Sequence, residues 1–242
     1  MEFEEFSRLF CESCERNGVS TPENDKIHAF WRFTLHLMEV NSHTNLTAIR
    51  SIPDVIPKHY VDSMLAAEFL PQGARVLDLG CGPGFPSIPL AILRPDLSIT
   101  ALDSTDKKVR FVKECAELLP LPNLQAVTGR AEDTAVRRRL GQFDVVVSRA
   151  VARLNVLTEL CMPYVKNDGI FLPMKAAKGE EELAEAQNAI KILGGAPAKA
   201  HERTLTAENS SPEARLLIEI KKVKQTPPQY PRAYAAIIKK PL

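Results

Sequence analysis

The stretch Val76-Leu77-Asp78-Leu79-Gly80-Cys81-Gly82-Pro83-Gly84-Phe85-Pro86 decides how the chain is read. A short run of buried-strand character enters three alternating glycines, and the following Ser87–Leu93 has a helical pattern. Glycines at a strand-to-helix turn permit tight backbone geometry and close ligand approach, and free N–H groups at a helix start attract negative groups. In open α/β sheets such loops lie at the carboxyl ends of strands, where ligands bind. The dinucleotide fingerprint G-x-G-x-x-G fails here. With Gly80 and Gly82 as its first members, the third position falls on Phe85. The pattern is D-x-G-x-G-x-G, led by Asp78, and a second acidic residue, Asp103, ends the next strand nineteen positions after Gly84. A carboxylate there can accept both ribose hydroxyls of a nucleoside.

Outward from this loop the texture is α/β. Arg75–Gly80, Ile99–Asp103, Leu124–Thr128, Phe143–Ser148 and Ile170–Met174 read as strands. Ser87–Leu93, Lys107–Leu119, Val136–Leu140 and Leu154–Tyr164 read as the helices between them. Near-continuous apolar strands separated by crossover helices predict a parallel sheet covered on both faces. A helix near Glu180–Leu193 and two more strands, near Ala200–Leu205 and Leu216–Val223, complete a mostly parallel seven-stranded sheet.

The first seventy residues show no strand pattern. Phe3, Phe6, Phe10 and Cys14 recur at helical spacing up to Asn17-Gly18, and Thr21-Pro22 supplies a cap and first-turn proline for a helix carrying Ile27, Phe30, Trp31, Leu35 and Met38. Pro57 is expected to open a third helix running to Leu70. The expected division is a helical cap over 1–70 and an α/β domain over 71–242 with a basic C-terminal segment.

The chain has 242 residues, 45% hydrophobic and 25% charged, which excludes a disordered, collagen-like or disulfide-scaffold protein. Net charge is only +1, but Arg215–Leu242 carries seven Lys/Arg against one Glu, so that segment is +6 and the remainder −5. A basic end on a faintly acidic body suits a polyanion contact or a solvated tail. No apolar run is long enough for a membrane span, the acidic start is unlike a signal peptide, and five cysteines is an odd number. A cytosolic protein is expected. Cys11-x-x-Cys14 lies on an amphipathic helix pattern with no second pair, and no HExxH occurs, so no metal is expected.

Asp78, the glycine loop and Asp103 together resemble the S-adenosylmethionine (SAM) pocket of Rossmann-like methyltransferases. The resemblance narrows downstream. Asn45-Leu46-Thr47-Ala48-Ile49, His59-Tyr60-Val61-Asp62-Ser63, Gly82-Pro83-Gly84-Phe85-Pro86 and Ser148-Arg149-Ala150-Val151-Ala152 stand in order, followed by Met174-Lys175 and Tyr230-Pro231-Arg232. On these blocks the chain resembles the bacterial small-subunit ribosomal RNA methyltransferase G family, also called glucose-inhibited division protein B. Ser87 and Ala176 stand where that family usually has glycine.

The resemblance implies methylation of N7 of one guanine in 16S rRNA near the decoding centre; a monomer is expected, acting on naked RNA or on the assembled small subunit. It also implies that Gly80 and Phe85 line the cofactor site, with Ala131-Glu132 after the third strand and Arg149 after the fourth. Phe85 could equally be core. Guanine N7 carries an available lone pair, so transfer from a sulfonium is direct displacement and needs no general base. Catalysis then reduces to orientation. A donor on N7 would block the methyl, so Arg149, Lys175 or Arg130 is expected on O6 or phosphate. Arg137-Arg138-Arg139, Lys107-Lys108 and the basic end are further candidate phosphate contacts. The rival readings are the same fold acting on another acceptor, and a non-catalytic ribosome-assembly factor that only binds SAM.

Overall fold

The computed structural model describes residues 1–149, 151–208 and 210–242. Strands β1 (Arg75–Leu79), β2 (Ser98–Asp103), β3 (Leu124–Thr128), β4 (Phe143–Arg149), β5 (Val165–Lys175), β6 (Lys199–Leu205) and β7 (Glu213–Lys221) form one sheet in the order β3-β2-β1-β4-β5-β7-β6. The pairs from β3 through β5 are parallel, whereas β7 runs antiparallel to both β5 and β6. The strand order reverses between β1 and β4, which makes the carboxyl ends of the central strands the topological switch point.

Period-two alternation sends neighbouring residues into two cores. Val76, Ile99 and Val145 join the first core, with α1 (Phe3–Arg16), α2 (Asn24–Thr44), α5 (Ser87–Leu93) and α6 (Asp106–Leu118). Leu77, Leu102 and Val146 join the second, with α7 (Thr134–Leu140), α8 (Leu154–Cys161) and α9 (Gly179–Ile192). The N-terminal helices share the first core directly: Phe33 of α2 lies 5.5 Å from Phe85 and 6.3 Å from Phe111 between ring centroids. A last helix, α10 (Tyr234–Lys239), lies in the basic tail, where the sequence reading placed no element. No helix among the described residues is long and apolar enough to cross a membrane.

Several boundaries differ from expectation. Helix α2 starts at Asn24, after Thr21-Pro22, because the Glu23 carbonyl accepts from Lys26 and Ile27. The third helix opens as α3 (Ile52–Val55), capped by Ser51 accepting from the Asp54 N–H, and passes through a π turn (Ile56–Val61) into α4 (Asp62–Met64). Pro57, which has no N–H to continue an α ladder, sits inside that π turn and opens nothing. Strand β5 begins at Val165, five residues early. Its Lys166-Asn167-Asp168-Gly169 has turn chemistry, but the Asp168 N–H donates to Lys222 O and the Lys222 N–H donates to Gly169 O. The parallel register with β4 shifts across this stretch.

Candidate functional site

At the end of β1 the chain must turn sharply, and Gly80 does so with φ +77°. A Cβ there would stand 2.3 Å from Val151 Cγ2, so glycine is required for both backbone and space. The loop amides are not free, however. Gly80 and Cys81 both donate to Leu102 O, Gly82 donates to Asp103, and Gly84 and Phe85 donate to Cys81 O. The start of α5 is likewise filled from within, because the Ser87 N–H donates to Asp78 Oδ2 at 3.0 Å. Asp78 is fully buried, and burial pushes its carboxyl up to about 7. The place at the helix start where an anion was expected is therefore taken by the protein's own carboxyl group. The glycine loop supplies close approach, not a ring of spare donors.

Asp103 ends β2 with 8% exposure. Its Oδ2 accepts from Gly82 N at 3.0 Å and its Oδ1 from Thr105 N at 2.8 Å, which fixes the carboxylate plane. Each oxygen can accept a further bond on the cavity side. The cavity itself is about 350 Å³ and spans the carboxyl ends of β1, β2 and β3. Leu79, Leu102, Val151 and Leu160 give it apolar walls, and Tyr234 of α10 adds an aromatic one. Tyr164 OH donates to Ala131 O at 2.9 Å and pins the segment after β3.

Of the residues expected at the site, Gly80, Asp103, Arg130, Ala131 and Glu132 line this one cavity. Arg130 stands at its rim with a side chain 68% exposed, 3.6 Å from Glu132 Oε1. Phe85, Arg149 and Lys175 are not among the lining residues. Phe85 is buried, its ring stacked on His59 at 4.2 Å with the Arg149 guanidinium 5.4 Å away. Arg149 donates to Asp62 Oδ2 at 2.7 Å and to Lys58 O at 3.0 Å, with His59 Nδ1 at 3.1 Å. Burial, with Arg149 alongside, pulls His59 down to about 3, so its ring is neutral. Lys175 is tied to Ala152 O at 2.5 Å and Glu182 Oε2 at 2.8 Å. Ala150, within the block after β4, lies outside the described residues.

Several expected phosphate contacts already have partners: Lys107 on Thr44 O, Arg137 on Tyr230 O, and Arg215 on Asp62 and Glu213. Arg138 and Arg139 remain exposed. Sequence reading missed Tyr234, whose only local signal is a tyrosine four residues after Tyr230 in a basic tail. It also missed the wall residues Leu160 and Val151, which look like ordinary apolar positions.

A site with apolar walls, a fixed carboxylate at a switch point and a glycine where a side chain would intrude fits an adenosyl ligand. The comparisons agree. The family model described as rRNA small subunit methyltransferase G matches residues 26–209. The chain belongs to this family. The Ribosomal RNA small subunit methyltransferase G of Lachnoclostridium phytofermentans is 46% identical over 211 residues, covering 85% of each chain. That of Lactobacillus acidophilus is 44% identical over 212 residues, covering 86% of this chain and 87% of its own. Among solved structures, an O-methyltransferase from Bacillus cereus in complex with SAH superposes with a TM-score of 0.57 at 17% identity, covering 91% of this chain and all of that one. A precorrin-6y C5,15-methyltransferase from Geobacter metallireducens gives 0.53 at 14% identity, covering 75% and 92%. These distant likenesses show the Rossmann-like methyltransferase fold. As a methyltransferase G family member, the chain is a SAM-dependent methyltransferase.

Proposed function

We propose that this methyltransferase G family member transfers the methyl group of SAM to N7 of a guanine in 16S rRNA near the decoding centre. The observation that carries the reading is the cavity at the switch point, with Gly80 at one strand end and the Asp103 carboxylate at the next. SAM supplies an electrophilic methyl on a positive sulfur. Asp103 accepts the ribose hydroxyls, Gly80 leaves room for the backbone-side approach, and the segment Ala131-Glu132 meets the adenine edge. Phe85 and Arg149 act from behind the loop: their stack with His59 and the bond to Asp62 hold the ends of β1 and β4 in place.

The acceptor needs no base, because guanine N7 presents its lone pair as it stands. What remains for the protein is to bring that nitrogen into line, and orientation of this kind is worth about 7–11 kcal/mol in favourable intramolecular cases. Arg130, exposed at the rim, reaches O6 or a phosphate and leaves N7 open. Lys175, bound to Ala152 O and Glu182, shapes the segment after β4. N7 is poorly accessible inside an RNA helix, so the target is an unstacked or extruded base. Arg138 and Arg139, with Lys224, Lys239 and Lys240 of the basic end, are the remaining exposed candidates for phosphate.

The enzyme acts as a cytoplasmic monomer, with 1–70 as a helical cap and 71–242 as the catalytic domain. Incubation with methyl-labelled SAM and either naked 16S rRNA or assembled small subunits tests the reading. Label in RNA supports it and the better substrate identifies the form recognised. Label in protein or a small molecule, or SAM binding without transfer, overturns it.

A further inference from the structure

Glu159 on α8 is fully buried, and methyl transfer gives it nothing to do. Its carboxylate is taken up by one residue from the far end of the chain. Arg232 donates its backbone N–H and its Nε to Oε1, both at 2.9 Å, and its Nη2 to Oε2 at 2.5 Å. Two residues later α10 begins. Its Ile237 is fully buried with Val156 and Leu160 of α8, against Ala131 and Ala152. This docking brings Tyr234 into the wall of the cavity that holds Asp103, yet the tyrosine remains 40% exposed. The segment lies beyond residue 209, where the family model stops.

We propose that Tyr234 presents its ring to the purine of the bound SAM, and that the Glu159–Arg232 pair is the latch that sets it there. The proposal rests on the SAM reading above. Asp103 fixes where the ribose lies. Through Ile237, helix α10 packs beside Leu160, Ala152 and Ala131, and Ala131 begins the segment assigned above to the adenine edge. The nearness of Ala131 assigns the tail to the base end of the ligand. An aromatic ring left half in water beside its buried neighbour Ile237 gains cover when a flat base lies on it. The latch, with three bonds onto the buried Glu159, holds the placement, so the ring need not be ordered on binding.

Calorimetric titration of Tyr234→Ala, Tyr234→Phe and the unaltered protein decides the matter. The ligands are SAM and 5′-methylthioadenosine, which keeps purine and ribose and lacks the amino acid. Tyr234→Ala is expected to weaken both ligands about tenfold, as loss of one base–aromatic stack does, and Tyr234→Phe to stay within about twofold. Unchanged affinities in Tyr234→Ala overturn the proposal and leave the SAM reading intact. So does a loss confined to SAM, which would put the ring at the amino-acid end, or an equal loss in Tyr234→Phe. If the unaltered protein binds neither ligand, the SAM reading itself falls and the proposal with it.

Discussion

Arg149, the last residue of β4, donates to Asp62 Oδ2 at 2.7 Å, and both side chains are nearly closed to solvent, at 14% and 7%. The bond joins the central sheet to the N-terminal helices directly behind the glycine loop. Arg215 of β7 reaches the other oxygen of the same carboxylate at 2.9 Å. One acid thus ties three distant parts of the chain.

Breaking this pair leaves buried guanidinium groups without their anion. Asp62→Asn is expected to cost about 3 kcal/mol or more of stability, the usual penalty for removing one partner of a buried ion pair. Urea denaturation measures it. A change below about 0.5 kcal/mol, the scale of an ordinary surface substitution, would contradict the buried role.

Gly80→Ala combines two penalties. A side chain at positive φ costs roughly 1–2 kcal/mol, and the new Cβ meets Val151 Cγ2 at 2.3 Å. The variant should bind SAM at least about tenfold more weakly. Adding Val151→Ala removes the collision but not the backbone strain, so calorimetry should show partial recovery. Full recovery would mean the positive φ is not needed.

Two buried groups give opposing dependences on pH. Asp78 holds a proton in the folded state up to about 7, against an ordinary 3.8, so its contribution is full at low pH and is lost as pH rises through that window. His59 stays neutral down to about 3, against an ordinary 6.5, so its contribution is full above that value and is lost as pH falls. The two largely cancel between about pH 4 and 6.5. Relative to the unaltered protein, Asp78→Asn should therefore gain stability with rising pH by up to about 1.4 kcal/mol per unit, and His59→Gln should lose it at a similar rate. Denaturation curves across this range check both signs. Parallel pH profiles for all three proteins would contradict the assignment.

The sheet was legible because its signals are local. Apolar strand runs, crossover helices and glycines at a strand end each occupy a few consecutive residues, and Asp103 follows at a fixed distance. What escaped is non-local. Asp62 meets Arg215 across 153 positions of sequence, and no spacing rule links them. Tyr234 reaches the cavity on a tail that packs onto α8 through Arg232 on Glu159 and through the buried Ile237, both distant in sequence. The amides of the glycine loop looked available for a ligand, but the ends of β2 and Asp78 compete for them, which only the folded geometry reveals. In the same way Lys107, Arg137 and Arg215 read as free charge until their intramolecular partners are seen.

Replacing Arg130 is expected to separate cofactor binding from transfer. Its side chain is at the rim and its contact with Glu132 is loose at 3.6 Å, so Arg130→Ala should bind SAM within about twofold of the unaltered protein. Methyl transfer to RNA should fall about tenfold or more, the scale of one lost charge-assisted contact. Equal transfer rates would move guanine recognition to another residue.

Asp103 should matter to the cofactor itself. Hydrogen bonds to a charged group contribute about 1.5–3 kcal/mol, so Asp103→Ala should weaken SAM about ten- to a hundredfold in calorimetry. An unaltered affinity would remove the ribose contact from the account.

The most direct measurement is mass mapping of 16S rRNA after incubation with the protein and methyl-labelled SAM, in naked and assembled forms. The account predicts a single new methyl group on N7 of one guanine near the decoding centre. A methyl group on an exocyclic amine, a ribose or a pyrimidine carbon, or none in RNA at all, would contradict it.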